Sequence, residues 1–305
     1  WCKWSAESWF MRHSPLNAAL SLFGDIVQYF KYLNPQRIDV LENLKIRYTQ
    51  AIALNDPFEV FPAIIDKDKD WYMRQFITRI EAEAAEINFR SPVKKKQYIR
   101  ARKKDFPNFY RCYTDEKWLF EQAFSIVMLD ANVQGYLSLS KTEKNILMWS
   151  HYAQNHEGFA IGFDANHSYF DLGVTEVEYS DQRPYLNPLQ SEQDASLFYT
   201  KSTDWAYEQE IRKSMAFVEH IQLENGNTLL PYPDELPDHT DEVYQKVRLF
   251  DYPKGAISSV IFGWKSTDEL RQSVIKSLKE HGLSSVKVMQ AVPHPRKYEM
   301  VIEEV

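Results

Sequence analysis

The sequence has few of the features that mark disulfide-stabilised, metal-binding or membrane-spanning proteins. Its two cysteines, Cys2 and Cys112, lie far apart and lack the spacing of a zinc site. We therefore expect neither a disulfide framework nor a metal. No apolar run approaches the roughly 18 residues of a membrane-spanning helix, and we see no signal peptide. Without either feature, a cytoplasmic protein is the expectation. Glycine-rich phosphate loops and internal repeats are also absent.

What is present is a chain of 305 residues with 14% aromatic side chains and a formal net charge of −7. This length is sufficient to bury a core, and the acidic balance argues against attraction of the whole surface to nucleic acid or anionic membranes. We predict a single α+β domain over residues 1–305, with a split and mostly antiparallel sheet. Within it we expect N-terminal helices at 1–27 and a helical insertion at 67–130.

Periodicity and turn residues place the individual elements. A helix is expected from Asn145 to Ala153, and another from Asp268 to Glu280, ended by Gly282. The stretch 225–239 reads as a long surface loop. Strands are expected at 27–33, 45–49, 133–140, 158–163 and 174–179, within 205–219 and 253–263, and at 286–289 and 298–302.

The most informative segment is 201–212, in which Glu208, Glu210 and Arg212 alternate. In an extended strand these side chains project from one face. Two carboxylates beside a guanidinium fit a site where positive charge develops, although an alternating Glu/Arg strand is equally typical of a solvated face. Alternate residues of one strand lie about 7 Å apart. That geometry suits one carboxylate that orients a substrate hydroxyl better than it suits two carboxylates that flank a glycosidic bond.

A second candidate segment runs from Leu147 to Gly158 and is expected to be helical at its start. Ser150, His151 and Tyr152 would line a cleft at the tip of the Ser138–Ser140 strand, where a serine hydroxyl could hold a ribose or a phosphate. Alternatively, His151 is a core or capping histidine. Without a third ligand nearby we predict no metal site here, and without a Gly-x-Ser-x-Gly turn we predict no serine hydrolase.

The stretch 94–104 carries seven basic residues in eleven positions. One interpretation is a patch that binds phosphates, with Tyr98 available for stacking on bases. The other is a solvated helix face beside the acidic residues that precede it. The basic residues are Lys94, Lys95, Lys96, Arg100, Arg102, Lys103 and Lys104.

Five motifs in order over nearly the full length make the chain resemble DUF2971, a bacterial family defined only as a domain of unknown function. Leu33 stands where the family commonly has Arg. The motifs are Tyr29-Phe-Lys-Tyr32, Asn55-Asp-Pro-Phe-Glu59, Leu147-Met-Trp-Ser-His-Tyr-Ala153 with His156 and Gly158, Trp205 with Tyr207-Glu-Gln-Glu-Ile-Arg212, and Ile261-Phe-Gly263.

The layout of the chain is also similar to that of ADP-ribosyltransferases, which implies a related split-sheet fold. In those enzymes a first strand presents a side chain to the NAD ribose, a middle strand supplies Ser or Tyr, and a late strand carries a catalytic Glu, often as Glu-x-Glu. By this resemblance the first role falls to Tyr29 or Tyr32, the second to Ser138 or Ser140, and the third to Glu210 with Glu208 beside it.

The resemblance implies NAD as substrate and no metal. Lys31 or Arg47 would contact the pyrophosphate, and Trp149 and Tyr152 would stack on nicotinamide. The candidate catalytic residues are thus Glu210, Glu208 and Tyr32, and the candidate NAD-binding residues are Tyr29, Lys31, Arg47, Ser138, Ser140, Trp149, Ser150, His151, Tyr152 and Arg212.

The implied function is ADP-ribosyl transfer or NAD hydrolysis, as in a bacterial toxin or phage-defence factor, with an acceptor that is protein, nucleic acid or a small molecule. Two alternatives stay open: a non-enzymatic nucleic-acid-binding module that uses residues 94–104, and a metal-independent hydrolase or nuclease around Glu208, Glu210 and His151.

Overall fold

The computed structural model describes residues 27–64, 67–186, 195–217, 221–222, 228–229 and 247–305. The expected N-terminal helices lie outside these residues, apart from Val27, and so does the expected loop at 225–239, apart from 228–229. The α-helices of the described part are α1 (Asp39–Asn43), α2 (Lys69–Glu86), α3 (Pro92–Arg102), α4 (Phe106–Tyr113), α5 (Glu116–Val133), α6 (Ile146–Tyr152) and α7 (Asp268–Glu280). None of these helices is long and apolar enough to cross a membrane.

The strands are short, and eight of them form one large sheet. The strands are β1 (Gln28–Leu33), β2 (Lys45–Tyr48), β3 (Ala63–Ile64), β4 (Gln134–Ser140), β5 (Phe159–Asp164), β6 (Val174–Glu176), β7 (Glu178–Tyr179), β8 (Tyr185–Leu186), β9 (Thr200–Lys201), β10 (Glu210–Ala216), β11 (Ile221–Gln222), β12 (Thr228–Leu229), β13 (Arg248–Asp251), β14 (Ile257–Phe262), β15 (Lys287–Pro293) and β16 (Met300–Glu304).

The order across the eight-stranded sheet is β16-β15-β14-β5-β1-β4-β10-β6. Neighbouring strands run antiparallel except for the β14–β15 pair. The prediction of a mixed α+β chain with a mostly antiparallel sheet is therefore confirmed. An ADP-ribosyltransferase-like fold remains a prediction.

The sheet is weakest at its centre, between β1 and β4. The β1–β5 pair has six residue pairs and the β4–β10 pair has seven. In contrast, β1 and β4 are paired only at Phe30 and Ser140. Farther along β4, Tyr136 exchanges both backbone hydrogen bonds with Thr49 instead. The two halves of the sheet therefore separate between these contacts, and this separation forms the candidate site described below.

Two predicted strands differ in the structure. The strand expected within 205–219 begins only at Glu210, because Thr203–Glu208 form a 3-10 helix that is capped by the Ser202 side chain. Gln209 then adopts a left-handed conformation, which no regular strand accommodates. The strand expected at 174–179 is divided in two: β6 pairs with β10, whereas β7 pairs with β9.

The helices flanking the sheet have the expected ends. The side chain of Asn145 caps α6 by accepting from the amides of Leu147 and Met148. Helix α7 ends just before Gly282, whose φ of +72° suits glycine. The buried face of α7 packs into the main core with residues of β1, β5 and β14. A smaller cluster, which includes Trp149 of α6, also contains Phe30 and Tyr32 of β1.

Candidate active site

The gap between β1 and β4 opens into a cavity of about 210 Å³. Residues from β1, β4, α6 and the start of β10 line it, together with the loop after β2. The sequence had predicted many of these residues as one site, although they come from four separate segments. The predicted site residues that line the cavity are Lys31, Tyr32, Ser138, Ser140, Tyr152, Glu208 and Glu210.

Lys31 spans the gap between the two halves of the sheet. In an antiparallel ladder, alternate residues of a strand direct their backbone groups to the same neighbour. Tyr136 and Ser140 of β4 are paired with Thr49 and Phe30, which leaves Ser138 between them without a β1 partner. The Lys31 ammonium donates a hydrogen bond of 2.9 Å to the Ser138 carbonyl. The lysine thus substitutes for a missing backbone donor and brings its charge into the cavity.

The two carboxylates reach the cavity by a route that strict strand alternation does not describe. Glu208 ends the 3-10 helix, and Glu210 begins β10. Between them, Gln209 has φ 44° and ψ 51°. The Ser140 hydroxyl donates a hydrogen bond of 2.6 Å to the Glu208 carbonyl, which fixes this turn against β4. Both carboxylates therefore line the same cavity, although only Glu210 belongs to the strand.

Lys201, at the end of β9, connects the carboxylates. Its ammonium lies 2.7 Å from Glu208 and 3.0 Å from Glu210. A third carboxylate, that of Glu59, is 3.6 Å away. All four side chains are at least nine-tenths buried, where ionised groups persist only if they are paired.

Arg212 supports these carboxylates from inside the protein. Its side chain is fully buried and its guanidinium pairs with Glu59 and with Glu210, the latter at 3.1 Å. It also donates to the Phe198 carbonyl at 2.6 Å. Alternation correctly places Arg212 beside Glu210, but the structure does not place it among the residues that line the cavity. Its position supports a role in holding Glu210 rather than in contacting a ligand.

The charges of this cluster set the ionisation of its members. Burial alone would raise the pKa of Glu210, but Arg212 and Lys201 outweigh it and hold the pKa at about 2. Burial raises the pKa of Glu59 despite the same two cations. Burial lowers the pKa of Lys31 to about 8, with Glu210 opposing that change. Glu210 is therefore a permanent anion near neutral pH, whereas Lys31 titrates close to the physiological range.

Two tyrosines complete the cavity wall. The Tyr152 hydroxyl donates to the Glu208 carboxylate and accepts from the Asn55 amide at 3.2 Å. The Tyr32 hydroxyl donates to the Thr142 carbonyl at 2.8 Å, and its burial raises the pKa of the phenol. Tyr152 therefore fixes a carboxylate, whereas Tyr32 offers the cavity mainly its ring.

Several predicted site residues do not line the cavity. Tyr29 faces the main core, because alternation along β1 sends it to the opposite side from Tyr32. Trp149 is fully buried, and its indole donates to the Glu143 carbonyl at 2.8 Å. His151 is exposed, and its Nδ1 lies 2.9 Å from the Tyr207 hydroxyl.

Ser150 and Arg47 also lie outside the cavity lining. The Ser150 hydroxyl is 3.3 Å from Nε2 of His156. Arg47 lies on β2, and with Arg37 it lowers the pKa of Lys31, so its charge acts on the cavity without lining it. Arg47 Nε is buried and has no hydrogen-bond partner among the described residues.

Sequence reasoning missed three residues that matter here: Lys201, Glu59 and Asn55. The Asn55-Asp-Pro-Phe-Glu59 motif was a signal for two of them, because it marks a fixed turn whose two ends both reach the cavity. Lys201 gave no comparable signal, since lysine is normally exposed. Among the described residues, no group of three or more His, Cys, Asp or Glu side chains is arranged to hold a metal ion.

The basic stretch 94–104 lies on α3 and the turn that follows, and none of its residues lines the cavity. Arg102 pairs with Glu83 at 3.3 Å and with Asp105 at 2.9 Å. Tyr98, available for stacking in the first interpretation, is partly buried against the helical cluster of α2 to α4. Binding of nucleic acid by this stretch stays a prediction.

Comparison with known proteins gives one match. No curated protein and no solved structure matches the sequence. One family model, described as a protein of unknown function (DUF2971), matches residues 148–213. This segment includes most of α6, all of β5 and the first residues of β10, with Glu208 and Glu210 of the cavity. The match confirms the resemblance to the DUF2971 family that the motifs of this chain predicted.

Proposed function

We propose that this cavity cleaves the bond between nicotinamide and ribose in NAD and passes the ADP-ribosyl group to water or to an acceptor. The observation that carries the proposal is the meeting of Glu208, Glu210 and Lys31 in one cavity. NAD bears a cationic ring on one ribose and an anionic pyrophosphate beyond it. Carboxylates from the β10 side and an ammonium from the β1 side therefore suit its two ends.

The ionisation of Glu210 suits the chemical step. When the bond between the nicotinamide nitrogen and ribose C1′ breaks, its electron pair goes to the nitrogen, which becomes neutral. The ribose is left as an oxocarbenium-like cation. A carboxylate with a pKa of about 2 remains anionic throughout and stabilises charge that develops mainly in the transition state.

The neighbours of the carboxylates support this division of roles. A hydrogen bond from the Ser138 side chain helps keep Glu210 ionised, and Tyr152 orients Glu208. We assign to Glu208 the proton that the attacking water or acceptor loses as its oxygen or nitrogen bonds to C1′. The arrangement of β1, a Ser-x-Ser strand and a Glu-x-Glu segment around one gap supports an ADP-ribosyltransferase-like site. A toxin or phage-defence role would follow from consumption of NAD.

Nicotinamide release from NAD by the purified protein tests the proposal. We expect free nicotinamide to accumulate with time, and NAD to raise the melting temperature of the protein. Because transfer can require an acceptor, the binding measurement accompanies the turnover measurement. If millimolar NAD gives no nicotinamide release and no change in melting temperature, the two results together contradict the proposal.

Lys31 makes the proposed NAD affinity depend on pH. Its pKa of about 8 means that the ammonium loses its charge as pH rises through that value. A charge-assisted hydrogen bond contributes about 1.5–3 kcal/mol. We therefore expect KM for NAD to rise about five- to tenfold between pH 7 and pH 9, with a smaller change in kcat.

Two variants separate the charge of Lys31 from its structural bond to Ser138. Lys31→Arg stays cationic and should keep a low KM at pH 9, whereas Lys31→Met should show a high KM at every pH. Melting temperatures report any structural damage in both. A KM that is independent of pH in the wild type, and unchanged in Lys31→Met, would exclude this role.

A further inference from the structure

A second cavity of about 300 Å³ adjoins the first. Lys201 lines both cavities. The turn at residues 55–60 also borders both: Asn55 and Glu59 line the first cavity, whereas Asp56 and Phe58 line the second. The two cavities therefore share this turn and Lys201, whereas residues 180–184 line only the second cavity and Glu208 and Glu210 line only the first.

Asp56 lines this cavity and carries an unsatisfied acceptor. The residue is only 5% exposed. Its Oδ1 accepts a hydrogen bond of 2.9 Å from the Phe58 amide. Its Oδ2 is buried and has no hydrogen-bond partner among the described residues. A buried carboxylate oxygen without a partner carries a desolvation cost, which a ligand with an N–H donor would relieve.

The rest of the lining offers flat surfaces. Phe58 also lines the cavity and is 61% exposed, unusual for a large apolar side chain. The Arg183 guanidinium lies 5.4 Å from the centre of its ring, and Phe61 contributes a second aromatic side chain. Aromatic rings and guanidinium planes are the groups on which bases stack. The lining carries two cations, Arg183 and Lys201, and two anions, Asp56 and Asp181, so its charges balance and favour a neutral planar ligand.

We infer that the second cavity binds a nucleobase that carries an exocyclic amino group. Asp and Glu accept from the exocyclic amino groups of bases, so Asp56 Oδ2, exposed by a small rotation of its side chain, takes the amino N–H. Phe58 and Arg183 contact the flat face of the base. The inference rests on these contacts alone and does not require that the protein cleave NAD.

The base has two possible sources, the adenine of NAD or a separate nucleotide. Small-molecule sites typically occupy about 300–1,000 Å³. The first cavity alone, at about 210 Å³, is smaller than this range, whereas the two cavities together fall within it. That supports the adenine of NAD as the occupant. However, the cations Lys31, Arg37 and Arg47 do not line the second cavity. Their position supports a separate nucleotide as the occupant. A competition experiment decides between the two sources.

Calorimetric titration with nucleosides, without NAD, tests the inference. Adenosine carries the amino group, and inosine has a carbonyl in its place. We expect the wild type to bind adenosine at least about tenfold more tightly than inosine. Asp56→Asn should reverse this order, because its Oδ1 can keep the bond from the Phe58 amide while its Nδ2 replaces the free acceptor with a donor. Phe58→Ala should weaken both nucleosides.

Asp251→Asn, at an exposed position of strand β13, is the matched control and should bind like the wild type. Equal affinities for adenosine and inosine, unchanged in Asp56→Asn, would overturn the inference, as would no saturable binding up to millimolar nucleoside. A second titration, with NAD present, identifies the source. Competition identifies the adenine of NAD, and independent binding identifies a separate nucleotide. Absence of nicotinamide release would affect only the proposed function.

Discussion

Glu210→Gln is expected to slow nicotinamide release by at least about 100-fold, the loss typical when one preorganised electrostatic contact to a transition state is removed. The substitution keeps the shape of the side chain and removes its charge. Because Glu210 is held ionised with a pKa of about 2, its own titration should not appear in the rate between pH 5 and pH 9. The measurement is the rate of nicotinamide release per folded molecule.

The same substitution also weakens ion pairs, so it needs a control that weakens ion pairs of the same cluster. Glu59→Gln provides one, because Glu59 pairs with the same two cations, Arg212 and Lys201. We expect Glu59→Gln to lose less free energy of unfolding in denaturant titrations, because burial already raises the pKa of Glu59, so the rates are compared per folded molecule. Glu59→Gln should lose less than about tenfold in rate. Equal losses of rate would mean that Glu210 acts through the stability of the cluster and not on the ribose.

The sequence predicted the central part of the site for a physical reason. Strands of period two place Ser138 and Ser140 on one face of β4. A Glu-x-Glu segment beside that strand brings carboxylates to the same place, whatever the details of the turn. The choice between Tyr29 and Tyr32 stayed open from the motif alone. Alternation requires that they face opposite sides, and only the packing of the two clusters shows that Tyr32 lines the cavity.

The buried charges could not be predicted in the same way. Lys201 and Glu59 lie in segments far apart in sequence, and each can be buried only because the other and Arg212 are present. Local patterns carry no information about such pairing. The conformation of Gln209 was also missed, because a left-handed residue is uncommon outside glycine, asparagine and aspartate. The conformation of Gln209 prevents β10 from extending back beyond Glu210 and directs Glu208 into the cavity.

Arg212→Met is expected to be the most destabilising of the changes considered, with a loss of about 3–5 kcal/mol in free energy of unfolding. Methionine can fill much of the space, but it leaves Glu59 and Glu210 with only Lys201 as a cationic partner. The double variant Arg212→Met/Glu59→Gln removes one of the stranded charges and should recover more than about 1 kcal/mol. A loss of less than about 1 kcal/mol in Arg212→Met would contradict the assignment.

The pH dependence distinguishes lost charge pairing from lost packing. In the wild type the pKa of Glu210, about 2, is below the value of about 4.3 in an unfolded chain. Its contribution to stability is therefore present above about pH 4.5 and is lost as pH falls toward 2. Without Arg212, burial should raise the pKa of Glu210 above 4.3, and the pKa of Glu59, which burial already raises, should rise further. Both carboxylates then cost stability as pH rises. The stability difference between wild type and Arg212→Met should consequently widen from about pH 4 to pH 7, whereas a packing defect would leave it constant.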